Sequence, residues 1–479
     1  MQDKIPIRFL VLASAVALVL HFLAAWFSLG WQHPDEHFQV IEFTQYLFGN
    51  QSKEGLAWEF HAMMRPSFQV WFAYGLLYLG KIIGIGNPYH LGFILRLVMA
   101  LMSMAGLWFF HNKLSFQNQK EARWHLLLCF LAWPLVFVHV RFSSESFSAV
   151  FLTLAMTLAM HEKRGFWTGV CLGCAFLARY QTGFFLAGFG LAFFLWEPWK
   201  WQRLAALAGG FASMFLMGTF LDYLFYGQWV CAPWNYLEQN IFKGVAASFG
   251  TEPWYWYFTT GAEKLIPPFS LLVLPGFLIL PFLKKERLLG WGCGLFILGH
   301  ALVGHKEWRF LFPLAPFLPL AVIRFIAFLR TWLPKLFANP RFVKIFIGLF
   351  VFQNCVCLLL VCFRPAHDLG LAWKFIYEKS DRPAVLWFEK KDPFKSGQNL
   401  ASFYTVSELR RHRIPKRKPW KQNTFGMPVW VWVESEELAE FLESNGGKLE
   451  FSNLPSGIEY INFNGWLNRT SRYRIYRLP

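Results

Sequence analysis

The chain has 479 residues, 55% apolar and 16% charged, with 55 phenylalanines and a formal net charge of +17. A soluble domain carries about 25% charged residues, so this composition excludes an ordinary soluble protein. No Walker or GxGxxG phosphate loop is present, which argues against an ATP-driven pump and a Rossmann-type nucleotide-sugar enzyme. Excess Lys and Arg would suggest nucleic acid in a soluble protein, but here they first have to be read as signals of membrane orientation.

Residues 9–29 form the first apolar run, about the ~20 residues that a bilayer core requires. Similar runs follow at about 91–111, 125–140, 147–160, 166–179, 182–197, 204–226, 266–283, 288–304, 310–328 and 343–363. A polytopic α-helical membrane protein with about 11 transmembrane helices is predicted. The aromatic stretch 68–86, which carries Lys81, is expected as an interfacial helix. With the N-terminus inside and 68–86 not crossing, the dense basic groups (Lys113, Lys120 and Arg123; Lys284, Lys285 and Arg287; Arg330, Lys335 and Arg341) fall on the inner side, as the positive-inside rule requires. The eight cysteines lie mostly within apolar runs, and Cys171 and Cys174 are expected as packing thiols.

Two domains are expected: a transmembrane domain over 1–363, with 31–90 as its first outer loop, and a soluble α+β domain over 364–479. In the second, "AVLWF", "PVWVWV", "KLEFS" and "RYRIYRL" read as strands and "SEELAEFLES" as a helix capped by Ser435. "LRRHRIPKRKPWK" at 409–421 reads as a basic loop.

This topology gathers polar groups on the outer face. "HPDEH" follows the first run. Pro34 suits the first position of a helix, and Asp35 and Glu36 then sit in a first turn where the dipole stabilises negative charge. Asp35, Gln39 and Glu42 are spaced to share one helical face. An ionised carboxylate there can take a proton from an acceptor hydroxyl. His305, Lys306, Glu307 and Arg309 form a second cluster between two apolar runs, with Arg179 a further cation. Ionisable residues at membrane depth mark function, and Lys with Arg suits a phosphate. A lipid-linked sugar is the natural donor.

The stretches "HPDEHFQVIE", "RFSSES", "YGQWVCAPWNYLEQNI", "FGTEPWYWYF" and "GHKEWRFLFPLAPF" resemble, in order, the mannosyltransferases of glycosyltransferase family 22, those of GPI-anchor synthesis most closely. The resemblance implies the C-type glycosyltransferase fold, a dolichyl- or polyprenyl-phosphate-linked donor, and an inverting transfer of a hexose, mannose in that family, to a hydroxyl of a glycolipid or glycan acceptor. It makes Asp35 the catalytic base and Glu36 the second acid. The family's HKE-R motif falls on His305, Lys306, Glu307 and Arg309. The donor phosphate is expected at Lys306, Arg309, His305 and Arg179, and the substrates at His33, Gln39, Glu42, Arg141, Glu145, Trp234, Asn235 and Glu307. No metal and no cofactor is expected, since no DxD motif is present and the cations can neutralise the phosphate. A monomer in the lipid bilayer is expected, without nucleic acid: in a bacterial inner membrane facing the periplasm, or in an ER membrane facing the lumen. The alternative is a lipid-linked sugar flippase or a polysaccharide polymerase.

Overall fold

The computed structural model describes residues 5–160, 164–197, 201–380, 383–406, 408–414, 427–455 and 457–478. The chain divides into two compact units. One comprises Met1–Ser28, Trp58–Ile85 and Phe93–Arg364; the other comprises Leu29–Ala57, Gly86–Gly92 and Pro365–Pro479. The expectation had grouped 29–57 and 86–92 with the transmembrane residues. The contacts group them with the C-terminal residues, because Trp31, His37 and Glu42 pack and hydrogen-bond against residues 367–404.

The first unit is helical. Among the described residues, five helices are long and apolar enough to cross a membrane: Ile7–Phe27, Pro88–His111, Trp201–Tyr226, Trp308–Trp332 and Pro340–Phe363. The pair Gln119–Leu131 and Trp133–His139 becomes a sixth span if its 47° bend is allowed. Five shorter apolar helices, Ser144–Ala159, Gly165–Ala178, Tyr180–Trp196, Phe269–Phe282 and Arg287–Leu302, complete the set. Every expected apolar run is thus met by a helix or helix pair, although five fall short of the length of a bilayer crossing. The chain is an integral membrane protein.

The bend has a visible cause. Pro134 begins the second helix and cannot donate to the turn before it. Asn354 of the helix Pro340–Phe363 repairs the break: its Oδ1 accepts from Trp133 N (2.9 Å) and its Nδ2 donates to the Leu131 carbonyl (2.8 Å). Without water in the bilayer core, backbone groups freed by a proline need such a partner. Small residues bring other helices together. A Cβ on Gly169 would stand 2.0 Å from the Leu207 carbonyl oxygen, and one on Gly210 2.0 Å from that of Phe166. The helices Gly165–Ala178 and Trp201–Tyr226 therefore cross backbone to backbone, the close approach that small residues allow between helices in lipid. Cys174 packs there with Leu177 and Met214.

Residues 68–86 supply the helix Phe68–Ile82, at 15 residues shorter than a crossing. Buried Asp222 holds its start, accepting from Ser67 N (2.8 Å) and Ser67 Oγ (2.7 Å).

The second unit contains a five-stranded sheet: β1 (Ala384–Phe388), β2 (Leu409–Arg413), β3 (Val429–Val433), β4 (Lys448–Ser452) and β5 (Arg474–Arg477). The order is β2-β1-β3-β5-β4, with β1 parallel to both of its neighbours and β5 antiparallel to both of its own. The fully buried β3, alternating Val and Trp, is the central strand. The helix Glu436–Ser444 buries Ala439 and Leu442 against Val431, Val433 and Tyr476. Ser435 caps it, accepting from Leu438 N at 3.4 Å. One expectation is corrected: residues 409–413 of the basic stretch are not loop but the edge strand β2, where charged side chains protect an open edge from further pairing. Residues 415–426 lie outside the described residues.

Candidate active site

In the second unit, the chain enters the HPDE turn extended at His33, whose Nδ1 accepts from Asp35 N at 3.2 Å and caps the short helix Pro34–Glu36. Glu36 is buried and its Oε2 accepts from Gln32 N at 3.2 Å. Asp35 keeps a quarter of its side chain exposed, 3.6 Å from His33 Nδ1. Of the two acids, Asp35 is therefore the more accessible to a hydroxyl.

The expectation that Asp35, Gln39 and Glu42 share one face is corrected for Glu42. Residues His37–Ile41 form a π-helical segment, whose i→i+5 hydrogen bonds break the 3.6-residue period on which that spacing relied. The wider turn instead brings His37 Nε2 to within 2.7 Å of Glu42 Oε1. Glu42 is 1% exposed and also accepts from Phe403 N (3.0 Å) and from the Ser402 hydroxyl. Its carboxylate is committed to hydrogen bonds in the interior of this unit. Gln39 is buried too.

The other expected cluster forms in the first unit. Glu307 stands in extended conformation before a tight 3₁₀ segment, Trp308–Phe317, that contains Pro313 and Pro316. Arg309 reaches back to it, Nε to Oε2 at 2.6 Å and Nη2 to Oε1 at 3.1 Å, a fork the planar guanidinium is shaped for. Arg309 Nη1 also donates to Glu145 Oε1 at 2.7 Å. Arg179 Nη1 meets that same oxygen at 2.9 Å and donates to Ser144 Oγ at 3.0 Å. Both guanidiniums lie against the Phe310 ring, at 4.9 Å for Arg179 and 5.3 Å for Arg309. His305 Nε2 lies 3.1 Å from Glu307 Oε1, and its Nδ1 2.9 Å from the Gly250 carbonyl. Buried Lys306 donates to the Val303 carbonyl; burial lowers its pKa, opposed by Glu252. Burial likewise pulls the Arg179 guanidinium below its ordinary value; Glu145 opposes this, while Arg309 and Arg65 reinforce it. Arg179 Nε has no hydrogen-bond partner among the described residues, although the side chain is buried.

Glu145, Arg179, His305, Glu307 and Arg309 thus come together, with Lys306 beside them in sequence. The remaining expected contacts behave otherwise. Arg141 is buried with its guanidinium 4.4 Å from the Phe137 ring centre. Asn235 Nδ2 donates to the Met63 carbonyl at 3.0 Å, and Trp234 is exposed. Arg65 escaped the sequence reading. It pairs with Glu59 at 3.5 Å and faces the Tyr236 ring at 5.6 Å, and Tyr236 OH bonds to Gln181 Nε2 at 2.5 Å. No motif surrounds Arg65, and its only signal is an isolated charge between apolar segments.

The family model of Alg9-like mannosyltransferases matches residues 12–379. The chain belongs to the Alg9-like mannosyltransferase family. It is 26% identical to the human GPI alpha-1,2-mannosyltransferase 3 over 330 residues, covering 66% of this chain and 58% of that one. It is 28% identical to GPI mannosyltransferase 3 of Candida albicans over 346 residues, covering 70% and 65%. The chain thus spans about three-fifths of the length of these curated relatives. Among solved structures, ArnT from Cupriavidus metallidurans bound to undecaprenyl phosphate aligns with a TM-score of 0.58 at 13% identity, over 98% of this chain and 97% of that one. The Archaeoglobus fulgidus oligosaccharyltransferase aligns with a TM-score of 0.51 at 12% identity, over 84% and 62%. The fold is that of the C-type membrane glycosyltransferases.

Proposed function

We propose that this chain is an inverting glycosyltransferase that moves a hexose, mannose in its family, from a polyprenyl-phosphate-linked donor to a hydroxyl of a glycolipid or glycan acceptor at the outer face of the membrane. The observation that carries this reading is the pair Arg179 and Arg309, whose guanidiniums both approach one oxygen of Glu145, at 2.9 and 2.7 Å, while the buried Arg179 Nε has no hydrogen-bond partner among the described residues. A buried donor without a partner costs about 1–3 kcal/mol, which an arriving phosphate oxygen would recover.

Asp35 takes the proton from the acceptor hydroxyl. The acceptor oxygen attacks the anomeric carbon on the face opposite the phosphate. The carbon–oxygen bond to the phosphate breaks, and the lipid phosphate leaves with the electron pair, so the anomeric configuration inverts. Negative charge grows on the phosphate as that bond breaks; Arg309, Arg179 and Lys306, with His305 and Glu307 holding the cluster in place, stabilise it more in the transition state than in the ground state. His33 and Glu36 order the turn that carries Asp35.

The test is transfer by the purified chain from polyprenyl-phosphate-mannose to a mannosylated glycolipid acceptor, with the product's anomeric configuration read by NMR. An inverted product supports the reading. A retained configuration, or movement of the donor across a vesicle membrane without transfer, contradicts it.

A further inference from the structure

We propose that Glu42 is a positioning residue for the transfer: through His37 it fixes the turn that bears Asp35, and its second anchor, at residues 402–403, makes the C-terminal segment part of the reaction's machinery. The inference rests on Asp35 being the base.

Three donors converge on the buried carboxylate. Two come from far along the chain: the Ser402 hydroxyl to Oε2 and Phe403 N to Oε1 at 3.0 Å. The third is His37 Nε2 at 2.7 Å, in the residue two beyond Asp35. The His37 ring stacks on Trp31, with centroids 4.3 Å apart, and on Tyr404, at 5.3 Å. Trp31 in turn packs on His367 and Trp373, at 4.5 and 4.8 Å. Aromatic packing limits the tilt of His37, and Glu42 limits its rotation in plane.

An apolar side chain at position 42 would fill this interior without the desolvation cost of a carboxylate, which is recovered only when the charge is fully paired. Keeping a carboxylate here adds directional bonds, and the partners it joins are the Asp35 turn and residues 402–403. The π-helical segment is the local feature that permits it, since only i→i+5 geometry brings residues 37 and 42 together. A general base must stand within hydrogen-bond reach of the proton it takes, and a misplacement of about 1 Å can cost roughly 100-fold in rate.

The test compares Glu42→Leu, Glu42→Gln, Ser402→Ala and the double variant Glu42→Leu/Ser402→Ala in the full chain, reading kcat and both KM values. Glu42→Leu should lower kcat by about 10- to 100-fold with donor KM within about twofold. Glu42→Gln, which keeps one acceptor oxygen, should recover part of the loss. The double variant should be no slower than Glu42→Leu, because both changes remove one shared tie. If Glu42→Leu does not fold, Glu42→Gln and Ser402→Ala decide alone. Unchanged kcat in both overturns the inference, as do losses that add or that fall equally on donor KM. An active Asp35→Asn would overturn the base assignment instead, so the two failures are distinguishable.

Discussion

Replacing Arg309 probes the phosphate cluster most sharply, because the structure separates what it does for stability from what it does for transfer. The guanidinium contacts carboxylate oxygens at 2.6 and 3.1 Å to Glu307 and 2.7 Å to Glu145. It is 7% exposed. Removing one partner of a buried pair costs about 3–5 kcal/mol, because charge is left uncompensated, so Arg309→Gln must lower the melting temperature whatever its part in the chemistry. Loss of a preorganised group that stabilises developing charge adds about 2–4 kcal/mol to the barrier, or about 30- to 900-fold in turnover. Arg309→Lys keeps the charge but not the fork, and should restore stability more fully than turnover. The assay normalises initial rates to monodisperse, folded protein and measures donor affinity separately. If folded Arg309→Gln keeps wild-type donor affinity and turnover, the phosphate is not held here, and Arg179 with Arg65 becomes the next place to look.

If the chain makes the expected odd number of crossings from an inside N-terminus, a protease-cleavable tag after residue 479 is reached from outside the cytoplasm; cleavage only from the cytoplasmic side would overturn that expectation and the proposed outer-face site. Burial lowers the pKa of His367 from 6.5 to about 4, Asp368 opposing and His37 reinforcing. Because the folded state binds fewer protons between those values, the stability present above pH 6.5 is lost as pH falls towards 4, by about 2 kcal/mol at pH 5. Melting of His367→Phe should be less sensitive to acid than wild type over that window; equal sensitivity would remove His367 as the cause.

The helical runs were legible because lipid imposes length and apolarity on each segment independently of its neighbours, and the strands of 384–477 because Val and Trp alternation marks a buried sheet. The acidic turn and the HKEWRF cluster were legible as charges where charge is costly. What the sequence hid depends on contacts remote in the chain or on backbone hydrogen bonding. The π-helical segment looks like ordinary helix in any residue pattern, so Glu42 was assigned to Asp35's face. Glu145 had no visible link to Arg179 and Arg309, which lie 34 and 164 residues away along the chain. Residues 409–413 carry the charges of a loop, and only pairing with Ala384–Phe388 makes them a strand.

The most direct measurement of the central claim is transfer and donor binding by Asp35→Asn, which keeps the side chain's shape and removes its basicity. General-base catalysis contributes about 100- to 10,000-fold. The account predicts a loss in that range with donor affinity unchanged and the protein folded. Transfer within about tenfold of wild type would contradict it and move the base to another group, Glu36 first.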